Sequence, residues 1–565
     1  MLRRRQWWGK TGFVVVFLAL WFGTLDEREL FNPDEGRYAE IPREMVATGD
    51  WITPRLNGLK YFEKPALQYW ITAAAYNLLG EQEWTARLWP AVSGFLTLLV
   101  VYATGHRLAG RPAGVIAALL LASTFQFFLF SQLLTLDMGL TLFLTLAVAA
   151  FLAAEDTRGT AAARRNWMLL AWAAMGLAVQ SKGLVGIVLP ALTIAGYALL
   201  TRDWKLVGRL QWRFGLLVFA AVVLPWFVTV QLRNPEFFEF FFIREHFARY
   251  ALDNHHRTGA WYYFLVILVV GALPWSLAYG KALVDALRMR SPPHFPVNPY
   301  RLLTLWIAVI LVFYSASASK LPGYILPVFP AFALLAACSI HDARLLPQRW
   351  HLVAMAVGGL ALVGVAPFVV QLPKFAAHAD RFAPYAPWIV AGGLAIAATA
   401  ALAGLVRRWR PALSLPVAAF GMLIAFQLLL TGTEAIENEF SPEGLVEMAR
   451  ENIGEFDSRV PFYSVDMYDQ VLPLHVGRTL TVVNFRGELA MGIAQEPALA
   501  VPDIAEFRRR WVTHVQAYAV MPVPRFAEEE AARTPMSLLA RDRRTVIVSR
   551  NAVAAADIVP RGTDR

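Results

Sequence analysis

The chain has 565 residues, of which 57% are hydrophobic and only 17% charged, with 19 Trp, whereas soluble enzymes carry nearer a quarter charged residues. This composition excludes collagen, intrinsic disorder, a coiled coil and a small disulfide scaffold, and it points to a membrane. The net charge of +10 would suggest nucleic acid in a soluble protein, but here it is read as Lys and Arg in cytoplasmic loops, with no nucleic-acid partner expected.

Arg3, Arg4, Arg5 and Lys10 precede an apolar run that ends at Leu25-Asp26-Glu27 without a small-residue cleavage site. The run is read as an uncleaved first span, N-terminus inside. The run at 64–80 begins at Lys64-Pro65, is interrupted by Gln68 and Asn77, and carries Tyr69, Trp70 and Tyr76, so it is read as a helix lying along the interface. Further runs fall near 86–105, 113–130, 138–154, 166–181, 184–200, 214–232, 261–280, 302–318, 322–340, 351–371, 387–406 and 413–431. With 64–80 outside the bilayer, Arg107 and Arg111, then Arg158, Arg164 and Arg165, then Arg202, Lys205, Arg209 and Arg213, then Lys281, Arg288, Arg290 and Arg301, then Arg344 and Arg349, and finally Arg407, Arg408 and Arg410 all fall on the N-terminal side. Every short loop then obeys the positive-inside rule. About thirteen spans follow, with the C-terminus outside. The single cysteine, Cys338, can form no intrachain disulfide and leaves the redox compartment unread.

After Leu430 the composition changes. Short apolar strands (Val460–Val465, Thr479–Val483, Ala517–Val520, Thr545–Ser549) alternate with polar helical patterns (Pro442–Arg450, Ile504–Arg510), as in a soluble α/β domain. The runs Arg508–Arg510 and Glu528–Glu530 are read as solvated faces. The expected protein is therefore an α-helical polytopic membrane protein with external juxtamembrane helices. Its membrane domain is residues 1–431, with a first external loop at 26–85, and its soluble α/β domain is 432–565.

Polar residues on the external side are the ones that topology does not explain. The first loop holds Asn32-Pro33-Asp34-Glu35, where Asn32 can cap a helix whose first turn carries both carboxylates. Asp137 sits at the membrane face with no basic neighbour in its turn, at a cost of a few kcal/mol unless used or paired. A third segment holds Arg244-Glu245-His246, Arg249, Asp253, His255, His256 and Arg257, the two adjacent histidines reading as surface residues. Lys182 and Lys320 are basic residues on the side that the positive-inside rule disfavours. Lys and Arg match a phosphate, and carboxylates beside them match a metal, sugar hydroxyls or a base. Gly9-Lys10-Thr11 is no P-loop, no GxGxxG opens a βαβ unit, and no HExxH occurs. No nucleotide cofactor is expected, so the activated group should arrive on a lipid.

Pro33-Asp34-Glu35, Arg37-Tyr38-Ala39-Glu40, Gly49-Asp50-Trp51, Asn57-Gly58-Leu59, Tyr61-Phe62-Glu63-Lys64-Pro65, Glu245-His246 and Lys320-Leu321-Pro322-Gly323-Tyr324-Ile325-Leu326-Pro327 resemble the aminoarabinose (4-amino-4-deoxy-L-arabinose) lipid A transferases, relatives of the protein O-mannosyltransferases with the GT-C fold. The resemblance covers the whole chain, with Ala66 a departure where a second proline is common. It implies a bacterial inner-membrane enzyme with its active site at the periplasmic face. Its donor would be undecaprenyl phosphate sugar, its acceptor a lipid A phosphate, and its outcome polymyxin resistance. Lys64, Arg249 and Tyr324 would hold the donor phosphate, with Tyr38, Lys182 and Lys320 as further substrate contacts. Glu63 and His246 would hold a divalent, zinc-like metal, and Asp34 and Asp137 would be the catalytic acidic pair lining the sugar cavity. Other expected partners are membrane lipids, and a monomer is expected. The competing readings are transfer to a hydroxyl acceptor, in which Asp34 becomes the base, and a lipid transporter. Transport needs a midplane site, whereas these polar residues gather on one face.

Overall fold

The computed structural model describes residue 12 and residues 14–248, 259–340, 347–369, 382–439 and 441–550. The chain forms two compact units, one of Met1–Arg28 with Phe62–Ile436, the other of Glu29–Tyr61 with Glu437–Arg565. The stretch read as one external loop, 26–85, is thus divided between them.

In the first unit, eight helices among the described residues are long and apolar enough to cross a bilayer, or ten if each of two bent pairs counts as one span. The sequence reading expected about thirteen. The difference lies in three segments: residues 14–22 are helical at the edge of the described region, Val185–Thr201 has only 17 residues, and Ala161–Lys182 carries Arg164, Arg165 and Lys182. Leu67–Leu79, at 13 residues, is too short to cross alone.

The bent pairs are Arg111–Ala122 with Phe125–Gln132, at 66°, and Tyr263–Gly271 with Ser276–Ala286, at 110°. Their two breaks bind each other. The Phe125 amide donates to the Leu273 carbonyl at 2.9 Å, Trp275 Nε1 donates to Ser123 Oγ at 2.9 Å, and the Thr124 and Tyr279 hydroxyls lie 2.7 Å apart. Breaking a helix inside a bilayer exposes backbone groups that lipid cannot satisfy, and here each break supplies partners to the other. One turn on, Gln126 Nε2 donates to the Pro322 carbonyl at 2.6 Å and so holds the short 3₁₀ turn Pro322–Ile325. Trp306 Nε1 secures the end of that turn through the Pro327 carbonyl at 3.0 Å.

Arg87 does the same work where the first helix ends. It is wholly buried, donates to the carbonyls of Leu25 at 2.9 Å and Arg28 at 2.7 Å, and stands 3.4 Å from Glu83.

The second unit is built on a six-stranded sheet of order β5-β4-β3-β6-β8-β7, with β3 Phe462–Val465, β4 Thr481–Val483, β5 Ala500–Val501, β6 Tyr518–Pro522, β7 Ser537–Arg541 and β8 Thr545–Ser549. Strands β5, β4, β3 and β6 run parallel, while β8 pairs antiparallel with both β6 and β7. A two-strand ladder, β1 Arg55–Leu56 and β2 Leu59–Lys60, turns through Asn57 and Gly58, both at positive φ, as an Asn-Gly hairpin requires. Asn57 exchanges side-chain hydrogen bonds with the backbone of Leu480, both 2.7 Å, and Arg55 reaches Glu496 at 3.0 Å. Residues 29–61 therefore belong with the sheet. The two charge runs are not simply solvated: Glu529 is fully buried and accepts both Nε and Nη2 of Arg508 at 2.8 Å.

Replacing Arg87 with Met leaves the Leu25 and Arg28 carbonyls without their donor in an apolar setting. We expect the melting temperature of the purified protein in detergent to fall by the equivalent of about 3 kcal/mol, measured by scanning fluorimetry. An unchanged melting curve would show that these carbonyls find other partners.

Candidate active site

Asp137 opens the span Asp137–Glu155 and Lys182 closes the helix Ala161–Lys182. The carboxylate thus sits at a positive helix end and the ammonium at a negative one, each complementing its macrodipole. The two side chains meet at 2.5 Å, both 14% exposed, and the Thr141 hydroxyl donates to the Asp137 carbonyl at 2.7 Å. The pairing that Asp137 needs at this depth comes from Lys182.

The Pro322–Ile325 turn closes over this pair. Lys182 Nζ lies 5.0 Å from the Tyr324 ring centroid, within cation–π range, and the Tyr324 ring packs on Tyr314 at 4.9 Å. Gly323 is what permits the approach, because a Cβ there would stand 2.7 Å from Asp137 Cγ and Oδ2 and from Phe130. The structure therefore assembles Asp137, Lys182 and Tyr324, and adds Gly323 and Thr141, which had no assigned role. Gly323 was visible within the Lys-Leu-Pro-Gly-Tyr motif; Thr141 gave no signal. The Asp137 carboxylate oxygens keep further acceptor sites for an amine or hydroxyl.

Lys320, just before the turn, donates to the carbonyls of Ser315 at 3.3 Å and Ser317 at 2.8 Å. It ties down the end of the helix Pro299–Ala316 and keeps one of its three protons for another acceptor. Lys64 Nζ donates to the Glu63 carbonyl at 2.8 Å. Of the residues read as metal ligands and donor contacts, Arg249 and the side chain of His246 lie outside the described residues, although His246 falls on the π-helical stretch Glu239–Ala248.

Asp34 and Tyr38 belong to the second unit. Asp34 begins the helix Asp34–Thr48 and is half exposed, 3.7 Å from Arg37. The expected Asn32 cap is absent: Pro33 is the N-cap residue and makes no side-chain bond, while Asn32 donates to Asp469 at 2.8 Å and accepts the Gln470 amide at 3.1 Å. Close packing explains the exchange, since a Cβ on Gly36 would stand 2.6–2.8 Å from Gln470 and Val471. Asp469 is pushed up by burial, against the hydrogen bonds from Asn32, Val471 and Leu472. Tyr38 is buried, with the Arg37 guanidinium 6.0 Å from its ring and 5.8 Å from that of Tyr61.

Further along the same helix, Glu40 is fully buried and grips Arg43 through two bonds of 2.6 Å. Glu44 accepts the Gly58 amide at 2.8 Å. Burial first, then the Glu40 charge, raises the Glu44 carboxyl to about 8, opposed by Gly58 and Arg43. Tyr468, also buried, is pushed well above the ordinary phenol range by burial and by Glu40 and Glu44.

Residues 7–241 match the family model described as dolichyl-phosphate-mannose-protein mannosyltransferase, and residues 448–550 that of the aminoarabinose transferase C-terminal domain. An undecaprenyl phosphate-α-4-amino-4-deoxy-L-arabinose arabinosyl transferase of Pseudomonas paraeruginosa is 30% identical over 502 residues, covering 87% of this chain and 88% of its own. The crystal structure of ArnT from Cupriavidus metallidurans bound to undecaprenyl phosphate superposes with a TM-score of 0.90 at 38% identity, covering 96% of this chain and 98% of that one. Its apo form gives 0.89 at 37%. A helical membrane unit with charged residues joined at the ends of its spans, followed by an α/β domain, is here a glycosyltransferase of the GT-C fold, related to the mannosyltransferases. Within that class the chain belongs to the undecaprenyl phosphate-aminoarabinose arabinosyl transferase family.

The Asp137–Lys182 pair generates a double-mutant test. Asp137→Asn and Lys182→Met each leave one partly buried charge alone and should cost about 3 kcal/mol, whereas the double variant should regain most of that stability without regaining transfer activity. Strictly additive losses in melting temperature would mean that the pair is not coupled. For Glu44, the folded state holds a proton between the ordinary carboxyl value of 4.5 and about 8 that the unfolded chain releases. Stability of the second unit should therefore fall as pH rises through that window, by up to about 1.4 kcal/mol per pH unit. Glu44→Gln should flatten the melting temperature between pH 5 and 8; an identical slope in both proteins would assign the effect to another group.

Proposed function

We propose that this protein transfers 4-amino-4-deoxy-L-arabinose from undecaprenyl phosphate to a phosphate of lipid A, at the periplasmic face of the bacterial inner membrane. The likeness over 96% of the chain to a structure bound to undecaprenyl phosphate carries this reading. The external placement of Asp34, Lys64, Asp137, His246 and Lys320 by the positive-inside rule supports it. Capping a lipid A phosphate with an amino sugar lowers the negative charge of the outer surface, which is how such a reaction confers resistance to polymyxin.

In transfer, the bond between the anomeric carbon and the donor phosphate oxygen breaks, its electron pair leaving with undecaprenyl phosphate, and an oxygen of the acceptor phosphate bonds to that carbon. Lys64 and Arg249 stabilise the leaving phosphate, with Tyr324 as a hydrogen-bond donor to it. Lys320, with a proton to spare, and Tyr38 complete the substrate contacts. Lys182 acts through Asp137, whose remaining lone pairs accept from the sugar amine or hydroxyls, and Asp34 has the role of orienting the sugar. A carboxylate and an imidazole suit zinc, so Glu63 and His246 would hold such an ion, which would add positive charge beside the departing phosphate. A lipid A phosphate is already ionised near neutral pH, so no side chain need take a proton.

Mass analysis of lipid A from cells with and without the gene tests the reading, with a shift of one pentosamine per modified phosphate expected. Unchanged lipid A, with protein present in the membrane, would remove the acceptor from the proposal. The pH–rate profile of Asp34→Asn then separates phosphate from hydroxyl acceptors. If the acid limb survives in the variant, it belongs to the acceptor phosphate near about pH 6; if it vanishes, Asp34 is a general base for a hydroxyl, with a loss of about 10² to 10⁴-fold.

A further inference from the structure

The span Asp137–Glu155 has the donor-side aspartate at one end and Glu155 at the other. At the Glu155 end lies a recess of about 650 Å³ lined by Tyr197, Asp203, Arg288, Arg290, Asn298 and Arg301, a size typical of ligand-holding clefts, at about 300–1,000 Å³. None of the residues assigned to transfer lines it.

Its cations outnumber its anions, Arg288, Arg290 and Arg301 standing against Asp203 alone in the lining. Asp203 is already held by Arg209 at 3.0 Å, which also holds Glu155 at 3.0 Å. Asp285, which feels the charge of Arg288, is bound by Lys281 at 2.6 Å and by Ser339 at 2.5 Å. Other arginines of this face are committed: Arg107 and Arg158 to Asp156, and Arg164 to the Ala154 carbonyl. Arg288, Arg290 and Arg301, by contrast, form no ion pair among the described residues. The positive-inside rule accounts for cations on this side, but not for three of them around one hollow. The Tyr197 hydroxyl also accepts the Asn298 amide at 2.7 Å, so its own hydrogen is left to donate.

The surroundings indicate what kind of anion would fit. Leu200 and Leu287 are 74% and 64% exposed, and Trp204 is 62% exposed. Leu287 and Thr201 themselves line the recess. Exposed leucines on membrane helices face acyl chains, and Trp marks the headgroup level. A free anion would make no use of this apolar rim; a lipid would use both parts. Basic pockets between helices on the cytoplasmic side suit anionic phospholipid headgroups, and guanidinium forks match phosphate oxygens two at a time.

We propose that this recess binds the headgroup of an anionic phospholipid in the leaflet opposite the donor site, with its phosphates on Arg288, Arg290 and Arg301 and its chains along Leu200 and Leu287. Such a site is independent of the transfer reaction and fixes the depth of the membrane unit from the far side.

The test uses the full-length protein in detergent, wild type and the triple variant Arg288→Gln, Arg290→Gln, Arg301→Gln. Each is titrated with cardiolipin, with phosphatidylcholine of the same chains and with inorganic pyrophosphate, and read by native mass spectrometry and by melting temperature. Wild type should retain cardiolipin over phosphatidylcholine and melt higher with it; the triple variant should bind cardiolipin at least about tenfold more weakly, with phosphatidylcholine retention unchanged. Arg290→Glu alone, at an exposed position, should give a smaller loss of the same kind and guards against misfolding of the triple variant. Equal cardiolipin binding by wild type and Arg290→Glu, or equal retention of the two lipids by wild type, would overturn the proposal. So would a shift reproduced by pyrophosphate but not by cardiolipin, which would make this a soluble-anion site.

Discussion

Hydrocarbon offers no hydrogen bonds, so a membrane chain that interrupts its helices must find partners for the freed backbone groups among its own side chains. The first unit interrupts its helices at two sharp bends and at the short turn Pro322–Ile325. The partners are Arg87 on the carbonyls of Leu25 and Arg28, Gln126 on Pro322, Trp306 on Pro327, and Lys320 on Ser315 and Ser317. Each is a long polar or aromatic residue whose polar end is occupied by backbone. The position of Tyr324 follows from them, because the turn that carries it is held from both sides.

The same constraint shapes the charges. Asp137 and Lys182 are tolerable at the membrane edge because they are paired and because the helices they terminate favour each charge where it stands. A pair so placed is close to neutral as a unit. Lys182 thereby satisfies Asp137 electrostatically while Tyr324 packs over its ammonium.

Much of this was legible in the sequence. The apolar runs located the helices, and the composition change after Leu430 located the sheet. The energetic cost of a lone Asp137 signalled that it must be paired or used, although a partner 45 positions away cannot be read from one sequence. The bends were hidden for different reasons: Pro274 stands at one, but Ser123-Thr124 at the other gives no breaking signal. Strand β5 has only two residues, too few for any periodicity. The largest difference concerns 29–61, which reads as a polar loop because its buried groups, Glu40, Arg43 and Glu44, are charged. The pairing of Glu40 with Arg43 and the proton that Glu44 keeps make burial possible, and both are properties of the fold rather than of the residue types.

That segment also sets the order in which the molecule can be made. Asn32 and its partner Asp469 are 437 positions apart, and residues Phe62–Ile436 of the first unit lie between them in the chain. At about 5–20 residues per second of synthesis, the helix bearing Asp34 waits roughly 20 to 90 s for the segment around Asp469–Val471 that it packs against. During that interval Glu40, Arg43 and Glu44 are accessible to water and Glu44 titrates as an ordinary acid. The second unit, and with it the fixed placement of Asp34, comes into being only when the C-terminal residues arrive, so an incompletely synthesised chain has membrane helices but no settled Asp34.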